Sequence, residues 1–265
     1  MRAGLQTAHF FRMKNSKTLR IVVGINSLTE SQWPAYNSHL QLFYRLGRDF
    51  PKAEMCLYNP SRVGIDRMRN GAAAQVRQGD FDYLLFVDDD VVPPSQSLQR
   101  LLACKADIAA GDVIIRGYPF DHMCFRYVGK KKETLRAMSK YPKNSTVIDV
   151  DAVGFSLCLI KRELLEKVPE PFFITGTNHT EDVYFCLKAR DFAPDCTIRV
   201  DTQLTCGHIL WPEVISSWNK KLYKQYFEKQ NPATKQIKPT TDLKIVRVNS
   251  DVNYSEIFKI EKELQ

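Results

Sequence analysis

Between residues 19 and 90 the chain alternates short β-branched apolar runs with segments of helical apolar spacing, and no other feature restricts the fold as much. Residues 19–25 (LRIVVGI), 53–58 (AEMCLY) and 82–87 (DYLLFV) read as buried strands. Residues 35–48 space Leu40, Phe43 and Leu46 as a helix does, and 65–78 (IDRMRNGAAAQVRQ) runs helically to a Gly79-Asp80 stop. Asn59-Pro60-Ser61 is turn chemistry between them. Strand, helix, strand, helix, strand implies parallel pairing with helices covering the sheet faces. Ligands of such sheets bind beyond the C-terminal strand ends. There the third strand runs into Asp88-Asp89-Asp90, followed by Val91-Val92-Pro93-Pro94.

Further along, Ser95 is placed to cap a helix over 96–105, and 107–115 (DIAAGDVII) returns as a strand. Residues 116–145 are basic and poorly patterned, and apolar order resumes over 146–160. KRELLEKV reads as a short helix stopped by Pro169 and Pro171, 181–190 (EDVYFCLKAR) as another, and 196–209 as one or two strands. No repeat or low-complexity linker interrupts the chain. The expectation is one continuous α/β domain, a mixed and mainly parallel sheet flanked by helices. A basic arm over 1–18 precedes it, and 212–265 follows as an extension with an aromatic, Lys-rich amphipathic helix.

With 44% apolar and 26% charged residues, the composition sets disorder aside. No apolar run approaches the roughly 20 residues of a membrane-spanning helix. The N-terminal stretch is basic and lacks the apolar core of a secretory signal. Seven cysteines without a CxxC pair indicate neither a disulfide framework nor a zinc ribbon. Cys206-x-His208, even with His179, is too sparse for zinc, so buried reduced thiols in a cytoplasm (the host's, for a viral protein) are expected. Asn144-Ser145-Thr146 and Asn178-His179-Thr180 then have no meaning as glycan acceptors. The net charge of +8 is concentrated: residues 1–20 hold five Lys/Arg and no acid, and 116–143 hold eight against Asp121 and Glu133. Localised positive charge suits a phosphate-bearing partner or simply a solubilising surface.

Carboxylates at alternate positions just past a buried strand, as Asp88 and Asp90 are, can converge on Mg²⁺ or Mn²⁺ together with a substrate phosphate. A solvated turn with an aspartate as helix cap is the plain alternative. A phosphatase of the haloacid dehalogenase type also carries DxD after a strand, but usually the first strand. Here the motif closes the third strand and Pro93-Pro94 follows.

The flanks sharpen the reading. Arg69-Asn70, the DDD triplet, DAVGFSLCLIKRELL, HTEDVYFCLKARDF and TCGHI form an ordered set over roughly residues 19–210. In that order and spacing the chain resembles the GT-A glycosyltransferases, in particular the inverting nucleotide-sugar transferases, many of them from phages and bacteria. The resemblance implies a donor-binding half over 19–115, an acceptor half over 116–211, and a GT-A domain ending near 211. It implies that Asp90 binds the metal, that Asp88 adds to the metal site near the nucleotide ribose, and that Asp89 is the variable middle position. His208 matches a further metal ligand, chemistry that an imidazole suits. Asn26 and Ser27 match the loop that touches the base, and Arg69 an arginine near the diphosphate or base. Glu181-Asp182 matches the acidic pair holding the general base, with Asp182 favoured, although acids in a first helical turn also serve the helix dipole. Asp151 and Gly154 match a segment lining the sugar pocket, where Phe155-Ser156 departs from the family pattern.

These matches imply hexosyl or pentosyl transfer from a nucleoside-diphosphate sugar, with Mn²⁺ or Mg²⁺, to an acceptor hydroxyl. In 116–143, Tyr118, Phe120, Phe125, Tyr127 and Tyr141 are interleaved with Lys130, Lys131, Lys132, Arg136, Lys140 and Lys143. Aromatics among cations suit a nucleic-acid strand or a flipped base, so a hydroxylated base in phage-type DNA is the expected acceptor. A saccharide acceptor, or a module that binds a nucleotide sugar or nucleic acid without turnover, are the alternatives.

Overall fold

The computed structural model describes residues 18–27, 32–60, 63–129, 134–177, 179–210, 213–230 and 242–244. Most of the basic arm, Lys130, Lys131 and Lys132, and much of 231–265 lie outside the described residues.

Strands Arg20–Asn26 (β1), Glu54–Tyr58 (β2) and Tyr83–Asp88 (β3) pair in parallel, linked by helices Trp33–Asp49 (α1) and Ile65–Gln78 (α2). Leu84 to Val87 are all buried, as a strand covered on both faces requires. Helix α2 instead buries one stripe: Met68, Arg69, Ala72, Ala73 and Val76. Strand register sets Asn26 opposite Asp88, so β1 and β3 end at one level.

Next come Val91–Val92 (β4), helix Ser97–Ala103 (α3) and strand Ile108–Asp112 (β5). Ser95 does not cap α3. The helix starts at Ser97, its N-cap Gln96 makes no side-chain cap, and the Ser97 hydroxyl donates to the Pro94 carbonyl at 2.5 Å. The unpatterned basic stretch holds an antiparallel pair, His122–Val128 (β6) and Thr134–Met138 (β7). A register shift between His122 and Phe125 breaks the period of two by which a strand is recognised. Residues 146–160 divide into Val147–Asp149 (β8), Ala152–Val153 (β9) and the start of Leu157–Lys161 (β10). Helices Arg162–Lys167 (α4) and Glu181–Phe192 (α5) follow, then strands Ile198–Thr205 (β11), Gly207–Leu210 (β12) and Glu213–Ile215 (β13). Helix Lys220–Gln230 (α6) and strand Asp242–Lys244 (β14) complete the described chain.

Seven strands form the central sheet in the order β2-β1-β3-β10-β5-β11-β8. β10 runs against β3 and β5, and β8 against β11, while the other five share one direction. The sheet is therefore mixed and mainly parallel. Leu84 and Phe86 point into the core beneath α2, α4 and α5, and Leu85 and Val87 into the core beneath α1 and α3. Reversal of β10 has a positional effect: Leu157 pairs with Val87, so the turn entering β10 lies beside the end of β3. The Ser156 carbonyl accepts from Asp88 N there, at 2.9 Å. Among the described residues two small sheets accompany it, β13-β12-β4 and β14-β7-β6-β9.

Candidate active site

The small sheet β13-β12-β4 joins the aspartate triplet to the distant histidine. His208 pairs with Val91, and Ile209 N donates to the Asp90 carbonyl at 2.9 Å. His208 Nδ1 lies 2.7 Å from the Ile114 carbonyl, and Nε2 lies 3.6 Å from Asp90 Oδ1. A carbonyl only accepts, so in the neutral ring Nδ1 carries the proton and Nε2 turns its lone pair toward the carboxylate. Two electron-rich atoms so placed call for a cation. At the other oxygen of Asp90 a cation is already present, the Arg116 guanidinium, 2.8 Å away. Burial pushes the Asp90 carboxyl up, but the Arg116 guanidinium, and the His208 ring when it carries its second proton and donates from Nε2, outweigh it and hold the group below its ordinary value.

Asp88 faces the other way. Arg69 is wholly buried and donates from Nε to Glu181 Oε1 at 2.9 Å, from one terminal nitrogen to the Phe155 carbonyl at 3.3 Å, and from the other to Asp88 Oδ1 at 3.2 Å. Its guanidinium also lies 4.7 Å from the centre of the Phe86 ring. A buried guanidinium persists only when paired in this way. The arginine therefore clamps two acids, with its donors turned to the protein. Burial raises the Asp88 carboxyl most, Arg69 opposes, and the Asp90 charge adds to the rise. Burial, then the neighbouring Asp182 charge, push Glu181 up to about 7 against the pull of Arg69.

Asp182, in the first turn of α5, accepts at Oδ1 from the Thr180 hydroxyl and from Val183 N. A Cβ built on Gly154 would lie 3.3 Å from both Asp182 Oδ2 and Met123 Cβ, so a side chain at 154 would crowd the Asp182 carboxylate. Asn26 and Asp89 are joined through the backbone, Asp89 N to Asn26 O at 3.4 Å, and the Ser27 hydroxyl hydrogen-bonds the Asp89 carboxylate. Asp89, the variable middle position of the motif, thus ties the loop after β1 to the triplet. Asp151 is occupied elsewhere: Oδ2 accepts from Tyr127 N at 2.9 Å and its carbonyl from Arg190 Nε at 3.1 Å, stapling β6 to α5.

Four contributors escaped sequence reading. Arg116 belongs to the basic segment assigned to the acceptor, yet it reaches Asp90; its position just past β5, on the ligand edge of the sheet, was the available signal. Ser156 gives Asp88 a side-chain hydrogen bond that favours the charged carboxylate. His39 on α1 is buried with Nε2 3.0 Å from the Val91 carbonyl, and Ser38 donates to the Pro93 carbonyl, so α1 braces the segment behind the triplet. The aromatics of the basic segment, by contrast, are not presented to bases. Phe120 and Phe125 are buried, Tyr118 stacks on Phe227 at 5.5 Å, and Tyr141 donates to Asp112 at 2.8 Å. Arg126, Arg136, Lys140 and Lys143 remain exposed.

Among the described residues no group of three or more His, Cys, Asp or Glu is arranged to hold a metal ion. Asp90 and His208 are two groups that could face a cation together, and a pair is fewer ligands than such an ion takes. Two surface clefts, of about 410 and 430 Å³, are lined by none of the residues of this site.

No protein-family model matches the chain, and no curated protein matches it. Among solved structures, protein A197 from STIV aligns over 73% of this chain and 86% of its own, with 22% identity and a TM-score of 0.48. At that level the likeness concerns the course of the backbone, and the chemistry has to be read from the side chains themselves.

Proposed function

We propose that the protein is a metal-dependent glycosyltransferase that moves a sugar from a nucleoside diphosphate to an acceptor hydroxyl with inversion. One observation carries the reading: β4–β12 pairing sets His208 Nε2 3.6 Å from Asp90 Oδ1 at the ligand edge of the sheet. The sequence resemblance to GT-A transferases and the clamp that joins Asp88 to Glu181 support it. Asp90 and His208 are the residues that would hold Mn²⁺ or Mg²⁺ beside the donor diphosphate. Such a cation stabilises the negative charge that gathers on the leaving diphosphate. Arg116 adds a second positive charge beside it. Asp182 takes the proton of the acceptor hydroxyl as its oxygen bonds the anomeric carbon, and the carbon–phosphate-oxygen bond breaks with its electron pair leaving on the diphosphate.

For the acceptor, a hydroxylated base in DNA now rests on the exposed cations of 116–143 alone. A saccharide or other non-nucleic-acid acceptor is the second reading, favoured by the packing of Tyr118, Phe120, Phe125 and Tyr141. Binding of a DNA acceptor weakens steeply with salt, and binding of a neutral sugar does not. The donor reading is tested with UDP-, GDP- and CDP-sugars in Mn²⁺. Hydrolysis or transfer with at least one donor, lost in Asp90→Ala and on chelation, is the expected result. Absence of binding and turnover with every donor sinks it, and so does activity indifferent to Asp90→Ala.

A further inference from the structure

Helix α6 has apolar side chains on two faces. The inner face is committed: Phe227 stacks on Tyr118 at 5.5 Å, Tyr223 meets Phe120 ring to ring at 6.4 Å, and Tyr118 Oη donates to Glu228 at 3.1 Å. Lys220 Nζ, 2.8 Å from His122 Nε2, fixes the start of the helix. On the outer side, Leu222 and Tyr226 of the helix and Trp218 of the turn just before it follow at a spacing of four, 68%, 65% and 78% exposed. A helix this firmly held does not show a Trp-Leu-Tyr stripe through fraying. Exposed Lys221 and Lys229 accompany the stripe, while Lys224 reaches over the Tyr118 ring of the inner face at 5.6 Å, and Lys220–Gln230 holds four lysines against the single acid Glu228.

We propose that this face of α6 docks on an anionic lipid bilayer, with Trp218, Leu222 and Tyr226 in the interface and the lysines at the headgroups. Trp and Tyr favour that boundary because one end of each ring system is apolar and the other is wet, and a basic amphipathic helix adds attraction to anionic lipid. The charge argues against a second copy, because a two-fold contact would bring like-charged helices together. The exposed aromatics Trp33, Tyr36 and Tyr44 on α1 lack this setting, since Arg45 and Arg48 are both paired with Asp49.

The test is sedimentation of the full chain with phosphatidylglycerol/phosphatidylcholine vesicles and with phosphatidylcholine alone. It reads binding and is independent of any transferase activity. Wild type is expected to bind the anionic vesicles, and Trp218→Ser/Leu222→Ser/Tyr226→Ser to bind them at least about tenfold more weakly. Tyr44→Ser, a control on α1, is expected to bind as wild type does, and circular dichroism verifies folding. If the triple variant does not fold, Leu222→Asp alone carries the same expectation. The proposal is overturned if wild type ignores anionic vesicles, or if Tyr44→Ser and the triple variant lose binding equally. It is likewise overturned if the triple variant changes only the oligomeric state or only the binding of single-stranded DNA.

Discussion

Asp182 and Glu181 are neighbours with different surroundings, and that difference divides their work. Glu181 is held by Arg69, whereas Asp182 has one oxygen on the helix N-terminus and the other toward Gly154. If Asp182 is the base of the proposed transfer, Asp182→Asn keeps the shape and removes it, so single-turnover transfer should slow by about 10²–10⁴-fold while donor affinity, read by calorimetry, stays the same. Glu181 titrates differently in the folded and unfolded states. With its folded value raised to about 7 from 4.5, the native chain keeps a proton that the unfolded chain releases. Its contribution to stability therefore falls as pH rises from about 4.5 to 7, and urea midpoints across that window should fall less steeply in Glu181→Gln. The approach of His208 to Asp90 was expected from the resemblance alone, since no local pattern links residues so far apart in the chain. Arg69 was legible as a residue but not in its direction, although its spacing with Ala72, Ala73 and Val76 already placed it on the buried stripe of α2.

At the scale of elements, helix α6 and the β6–β7 pair depend on partners far along the chain. Asp112, fully buried, accepts from His122 Nδ1 at 2.6 Å and from Tyr141 at 2.8 Å, and the other side of the His122 ring meets Lys220. The carboxylate fixes the tautomer, and the lysine supplies the cation that balances it. Phe120, at φ 63°, holds a left-handed conformation unusual for a bulky residue, with its ring buried among Tyr223 and Phe227. None of this is written in local periodicity. For that reason 116–145 looked patternless, while β1, α1, β2, α2 and β3, whose patterns are local, could be read directly. Lys220→Met removes a hydrogen-bonding cation at a cost of roughly 1–3 kcal/mol. Amide exchange over α6 should accelerate by about tenfold or more while β1 and β3 keep their protection.

For the whole molecule, the alternation over 19–90 correctly implied a parallel start to a mixed sheet, and the later strands were harder to read because β8, β9 and β10 crowd into one apolar run. Burial of the cysteines gives a global check. Cys56 is half-buried, whereas the other six are buried, and burial pushes Cys104 and Cys196 up to about 11 and Cys124 to about 12. A thiol reagent at neutral pH should modify one cysteine promptly in the native chain and six more after denaturant is added. The reversed strand also bears on synthesis. β3 is hydrogen-bonded on one side by β1 and on the other by β10, which enters the chain some seventy residues later. Until Leu157–Lys161 has left the ribosome, the edge Leu84–Leu85–Phe86–Val87 has no strand beside it, and the nascent sheet carries an apolar margin open to other chains. The strand that closes the core is thus also the one that decides when, during translation, the protein stops being prone to aggregate.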